Sequence, residues 1–196
     1  LSEHGQRSPV LVVAELDGYV LIDGYARVGA LTQLGLDLVH AVILDVSEAE
    51  ALVLAHRLET GRRRSVIEEG WLVAELMERH GLSQLEVAER LQRSRSWVSR
   101  RLALVRTLPA SVQEAVRDGM VPAQGAMKYL VPLSRAKKAH CERVVERLDG
   151  PISVRALERL YRAWRAGDDV VRERLVEHPV LFLKACAATR DVPPEG

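Results

Sequence analysis

The chain has 196 residues and a net charge of +1, with 47% hydrophobic and 28% charged residues. That apolar share is ordinary for a globular protein and excludes a disordered or collagen-like chain, and no apolar run approaches the roughly 18–20 residues of a membrane span. Aromatic residues make up only 4%, with Phe182 the single phenylalanine, so cores must be built from Leu, Val and Ala, a composition that favours helices.

Residues 1–45 read as alternating strand and helix. Pro9-Val10-Leu11-Val12-Val13 is a short β-branched run, Asp17-Gly18 a hairpin-type turn, and Tyr19-Val20-Leu21-Ile22 a second strand. Asp23-Gly24 breaks that strand and opens a helix over 25–34, with Gly35 placed to end it. A third strand is expected over 38–44, and Ser47 can cap a helix running toward Glu59. From residue 66 the pattern is helical: 66–79 with Ile67, Leu72 and Leu76 at helical spacing, a stop at His80-Gly81, a helix from Ser83 to about Leu91, and another over about 95–106. Pro109, Gly119, Pro122, Pro132 and Gly150-Pro151 punctuate further short helices, before helical stretches over 154–164, 168–177 and after Pro179.

The expected fold is α+β: a small N-terminal α/β domain over 1–60, an all-helical domain over 61–133 and a helical C-terminal region over 134–196. Leu157, Leu160, Trp164, Leu175 and Phe182 in that last region predict a helical subdomain packed on the rest, with a partner or dimer surface as the rival reading.

The segment 83–102 carries the strongest functional signal, a helix-turn-helix. Ala88 supplies the small residue where two steeply crossing helices approach; Val87 and Leu91 from the first helix and Val98, Leu102 and Val105 from the second supply a shared core. Ser83 and Ser94 are N-caps, and Glu86 completes a capping box with Ser83. Gln92 stands at the turn where such motifs commonly carry Gly, so a left-handed conformation there costs about 1 kcal/mol. On a helical wheel Val98, Leu102 and Val105 share one side, while Ser96, Ser99, Arg100 and Ala103 face away, where a helix inserted in a DNA major groove meets base edges. Small hydroxyls permit close approach, and Arg100 can fork onto a guanine. Arg93, Arg95, Arg101 and Arg106 flank that face and suit phosphate contacts, which set register rather than sequence. Ser94 lies at a helix N-terminus, where backbone N–H groups can meet a phosphate.

Charge is unevenly spread in a way that agrees. Residues 1–60 hold three basic and nine acidic side chains, whereas 61–106 hold ten Arg against six Glu. Cys141 and Cys186 are isolated, expected as two reduced core thiols of a cytoplasmic protein. The six His are scattered with no metal-ligand spacing, expected at the surface or as caps. No nucleophile elbow or Walker-type loop is present, so no catalytic residue and no metal site is expected. The sequence opens at Leu1 without an initiator Met, which leaves room for a segment upstream; no secretory signal is recognisable.

These motifs resemble the ParB-like partition family over most of residues 1–133. Glu3-His4-Gly5-Gln6-Arg7-Ser8-Pro9-Val10-Leu11-Val12 is similar to its first box, Gly-(Gln/Ile)-x-x-Pro-(Ile/Leu)-x-Val, and Leu21-Ile22-Asp23-Gly24-Tyr25-Ala26-Arg27-Val28-Gly29-Ala30 lies where the family has Ile-x-Gly-Glu-Arg-Arg-x-Arg-Ala. Leu108-Pro109-Ala110-Ser111-Val112-Gln113 matches its Leu-Pro-x-x-Val run, and Asp118-Gly119-Met120-Val121-Pro122 resembles its x-Gly-x-Ile-Ser segment.

The resemblance implies a sequence-specific binder of double-stranded DNA, nucleoid-associated, acting as a homodimer in partition or related regulation, with a partition ATPase or a mobile-element protein as partner. It further implies CTP with Mg in the N-terminal domain, held by Gly24, Arg27, Arg62 and Arg63. Here the pattern departs: Tyr25, Ala26 and Gly29 replace a Glu and two Arg, and Glu59-Thr60-Gly61-Arg62-Arg63 has Thr for the Asn of the family's third box. The alternative implied is a CTP-dependent hydrolase or phosphotransferase of the ParB/sulfiredoxin-like fold. Sulfiredoxin itself needs a Cys beside this turn, and Tyr25-Ala26 offers none.

Overall fold

The structure, a computed structural model, describes Gln6 and residues 8–15, 17–58 and 64–188. By its internal contacts the chain separates into two compact units, residues 1–63 with 89–92 and residues 64–88 with 93–196.

The first unit contains β1 (Val10–Glu15), β2 (Gly18–Asp23), α1 (Tyr25–Gln33), β3 (Ala41–Leu44) and α2 (Glu48–Leu58). β1 is central, antiparallel to β2 and parallel to β3. A strand covered on both faces reads as a continuous apolar run rather than an alternating one, and Val10, Val12 and Val13 are all buried. Val13 and Ile22, with Leu11, Val20 and Leu44, pack with Ala51 and Ala55 of α2. Gly35, at φ +69°, ends α1 as expected: its N–H donates to the Thr32 carbonyl and that of Leu36 to the Leu31 carbonyl. The third strand is shorter than expected. It begins at Ala41; just before it the Gln6 side-chain amide accepts the His40 N–H and donates to the His40 carbonyl, both at 2.7 Å, and that carbonyl also accepts the Val10 N–H at 2.9 Å.

The second unit is all helical: α3 (Val66–Glu78), α4 (Gln84–Arg90), α5 (Arg95–Thr107), α6 (Ala110–Arg117), α7 (Ala123–Gly125) continuing through a π-helical turn (Ala126–Leu130) into α8 (Val131–Ala136), then α9 (Lys138–Glu146), α10 (Val154–Ala166), α11 (Asp169–Glu177) and α12 (Pro179–Ala188). Pro132, at the start of α8, has no N–H to give the Lys128 carbonyl, and the widened turn lies just ahead of it. A hydrophobic core runs from Ile67 of α3 through Leu104 and Leu130 to Leu157, Trp164 and Val176, and Leu72, Leu76, Val87, Val98 and Leu102 are buried as well. The expected division at 133/134 falls inside that core: Leu133 and Ser134 are buried, and the Ser134 hydroxyl donates to the Thr107 carbonyl at 2.8 Å. Residues 64–88 and 93–188 therefore fall in one compact unit, and the C-terminal helices share its core.

The match to Leu-Pro-x-x-Val gains a physical basis here. Pro109 is the N-cap of α6, and Gln113 donates its amide N–H groups to the Val105 and Leu108 carbonyls, satisfying the end of α5. The Gln113 oxygen in turn accepts from the Trp71 indole N–H at 3.0 Å, tying in α3.

His140 corrects the expectation of surface histidines. It is fully buried, its Nδ1 accepting from Trp164 Nε1 at 2.9 Å and its Nε2 lying 2.8 Å from Glu173 Oε1. Since the indole only donates, the proton sits on Nε2 and points at Glu173. Arg143 joins the same carboxylate at 2.7 Å and also bonds Glu177, clamping α9 to α11. The Arg143 and His140 hydrogen bonds hold the Glu173 carboxyl at about 2, well below its ordinary range. Burial pushes the Cys141 thiol up to about 12, making it a core side chain without nucleophilic character.

Candidate nucleic-acid interface

The turn before α5 is built as its residues require. Ser83 and Glu86 form the capping box of α4: the Ser83 N–H donates to Glu86 at 2.8 Å and the Glu86 N–H to the Ser83 hydroxyl oxygen at 3.3 Å. Gln92 is the one described non-glycine residue with positive φ, at 54°. Its N–H donates to the Glu89 carbonyl and the Arg93 N–H to the Ala88 carbonyl, the paired closure that a left-handed residue permits at a helix end. Ser94 then caps α5, its hydroxyl oxygen accepting from the Trp97 N–H at 3.2 Å.

α5 presents two faces. Val98, Leu102 and Leu104 are buried, with Val105 packed against the core. Ser94, Arg95, Ser96, Ser99 and Arg100 are exposed, and so is Arg93 just before the cap. Among the described residues Arg95 and Arg100 make no protein hydrogen bond or ion pair. Five polar or cationic side chains thus stand along the first half of a helix that nothing in its own unit covers.

Two of the expected phosphate ligands are placed otherwise. Arg101 turns inward: its Nε donates to Glu69 Oε2 at 2.6 Å, with only 14% of the Arg101 and 10% of the Glu69 side chain exposed. Its charge is neutralised inside the unit, and breaking so buried a pair costs about 3–5 kcal/mol. Arg106 lies at the far end of α5 and pairs with Glu78 of α3 at the surface. The close α3–α5 contact depends on Gly70, where an added Cβ would lie 2.7 Å from Val105 and 2.8 Å from the Arg101 carbonyl. The sequence reading missed Glu69 and Gly70; Ser65 with Glu68 in a second capping box, opening α3, was the local signal that a well-fixed helix precedes the motif.

Gly24 and Arg27 do not assemble a phosphate cradle. Gly24 has φ +105°, and an added Cβ would meet Val10 at 2.5 Å, so glycine is required there by the packing of the sheet. The Arg27 guanidinium donates to Asp23 Oδ2 at 2.7 Å, to the Ser8 carbonyl at 3.1 Å and to the Pro9 carbonyl. Asp23 therefore sets a carboxylate beside the start of α1 and pairs with the Arg27 guanidinium. The Tyr25 hydroxyl is turned back onto the Leu21 carbonyl. Gly24 and Arg27 are thus occupied by contacts within their own turn, and Arg62 and Arg63 lie outside the described residues.

Comparison with known proteins agrees with the helix-turn-helix geometry. The family described as the ParB HTH domain matches residues 63–166, and the chain belongs to that family. It is 31% identical over 181 residues to Stage 0 sporulation protein J of Bacillus subtilis, covering 91% of this chain and 62% of that protein. It is 38% identical over 133 residues to the chromosome-partitioning protein Spo0J of Thermus thermophilus, covering 67% of this chain and 48% of that one. The chain thus spans between about half and two thirds of these relatives. A solved structure of the C-terminally truncated chromosome-partitioning protein ParB from Caulobacter crescentus, complexed to the centromeric parS site, aligns with 26% identity and a TM-score of 0.43, over 82% of this chain and 84% of that one.

Proposed function

We propose that this chain binds double-stranded DNA sequence-specifically, α5 entering the major groove, in chromosome or plasmid partition or related regulation at the nucleoid. The observation that carries the reading is the exposed face of α5: Ser96, Ser99 and Arg100 stand outward while Val98 and Leu102 are buried behind them. In this reading Ser96, Ser99 and Arg100 read base edges, and Arg93, Ser94 and Arg95 hold the phosphates at the helix N-terminus. One inserted helix covers only a few base pairs, so two copies of the chain on a two-fold related site belong to the same proposal.

The nucleotide-hydrolase alternative is not favoured, since Arg27 is engaged by Asp23 and backbone carbonyls. Selection from a pool of random duplexes tests the proposal. Enrichment of one short motif, bound with an affinity that falls steeply with salt, is the expected result. Equal retention of all sequences contradicts base reading by α5.

A further inference from the structure

Trp97 occupies the third position of α5, at the edge of the face just assigned to DNA. It is half-buried, and two guanidinium groups lie over its ring: the Arg93 carbon at 5.5 Å and the Arg101 carbon at 5.0 Å from the centroid. Trp97 and Arg101 are four apart along α5, the spacing that stacks side chains one above the next, and Arg93 reaches the ring from just before the helix. The lower rung is fixed, because Arg101 is held by the nearly buried Glu69. The upper rung is Arg93, which precedes the Ser94 cap and is exposed.

We propose that Trp97 is a positioning residue: through a ladder running Glu69–Arg101–Trp97–Arg93 it holds the Arg93 guanidinium ready for a phosphate at the entry of α5. The inference rests on the DNA-binding reading above and deepens it. A long cationic side chain loses rotamer freedom when it meets a phosphate, and one already resting on an indole face has lost part of it beforehand. Arg95 and Arg100 are exposed and have no such support. Trp97 thereby acts on affinity for all DNA through Arg93 and leaves base selection to its neighbours.

A double-mutant cycle reads this directly. In the wild-type background Trp97→Leu should weaken binding to every duplex by about two- to five-fold, the range for losing one exposed cation–π contact, and Trp97→Phe should restore most of it. In the Arg93→Ala background Trp97→Leu should change affinity by nothing measurable. An equal loss in both backgrounds overturns the ladder while leaving DNA binding standing; no binding by the wild-type chain overturns both. A second measurement needs no variant. In the free wild-type protein, nitrogen relaxation at Arg93 Nε should show order nearer that of Arg101 than that of Arg95 or Arg100, and an Arg93 side chain as mobile as Arg95 contradicts the proposal.

Discussion

Gly70 of α3 faces Arg101 of α5 so closely that a Cβ on the glycine would lie 2.8 Å from the Arg101 carbonyl oxygen. Neither the oxygen nor the helix backbone behind it can yield as a flexible side chain could. Alanine normally stabilises a helix interior by about 1 kcal/mol relative to glycine. Here the sign is reversed: Gly70→Ala should destabilise the helical unit by about 1–3 kcal/mol through overpacking, seen as a lower urea midpoint with unchanged slope.

Glu173 gives the helical unit a defined acid sensitivity. Its carboxyl sits at about 2 when folded, against an ordinary value of 4.5, because Arg143 and His140 hydrogen-bond its charged form. The unfolded chain therefore binds the proton more readily than the folded one. The stabilisation is fully present above pH 4.5 and is lost as pH falls toward 2. Glu173→Gln should melt lower than wild type at neutral pH, with the gap narrowing through that window; a gap undiminished near pH 2 contradicts the clamp.

The Asp23–Arg27 pair, 2.7 Å apart, predicts indifference to nucleotide. A ligand that binds only the folded state raises its melting temperature in proportion to the logarithm of its excess over Kd. CTP with Mg should leave the melting temperature unchanged. A rise abolished by Arg27→Ala contradicts the geometry of this turn.

The two thiols should differ in kind. Cys141 is fully buried with its thiol pushed up to about 12, whereas Cys186 on α12, expected in the core, is partly exposed. An aromatic disulfide reagent should modify one thiol in the native protein, mapped by mass spectrometry to Cys186. Modification of Cys141 before unfolding contradicts the packing of α9.

What the sequence disclosed was mostly what is local along the chain. Ser83 with Glu86, Ser94 as a cap, the left-handed Gln92 and the outward Ser96, Ser99 and Arg100 of α5 all follow from residues within a few positions of each other, and they stand in the structure as expected, whereas Ala103, expected to face away with them, packs against the core. The α+β class was legible for the same reason, since strand runs and helix periodicity are short-range signals. Arg101 was misread as a phosphate ligand because its partner, Glu69, is 32 residues away and charge alone does not say which way a side chain turns. His140 was misread similarly, although Cys141, Val144 and Val145 beside it mark an apolar helix face. The division at 133/134 followed punctuation by proline and glycine, which records where helices stop and not which of them share a core.

Base readout by Arg100 is tested most directly by measuring affinity for the selected site and for single-base variants of it, at one salt concentration, with wild type, Arg100→Ala and Arg93→Ala. Arg100→Ala should lose about 1–3 kcal/mol on the preferred site and its discrimination at one base pair, while Arg93→Ala should weaken every duplex alike. Uniform weakening of all duplexes by Arg100→Ala, with discrimination intact, would contradict the assignment of the exposed face of α5 to the DNA bases.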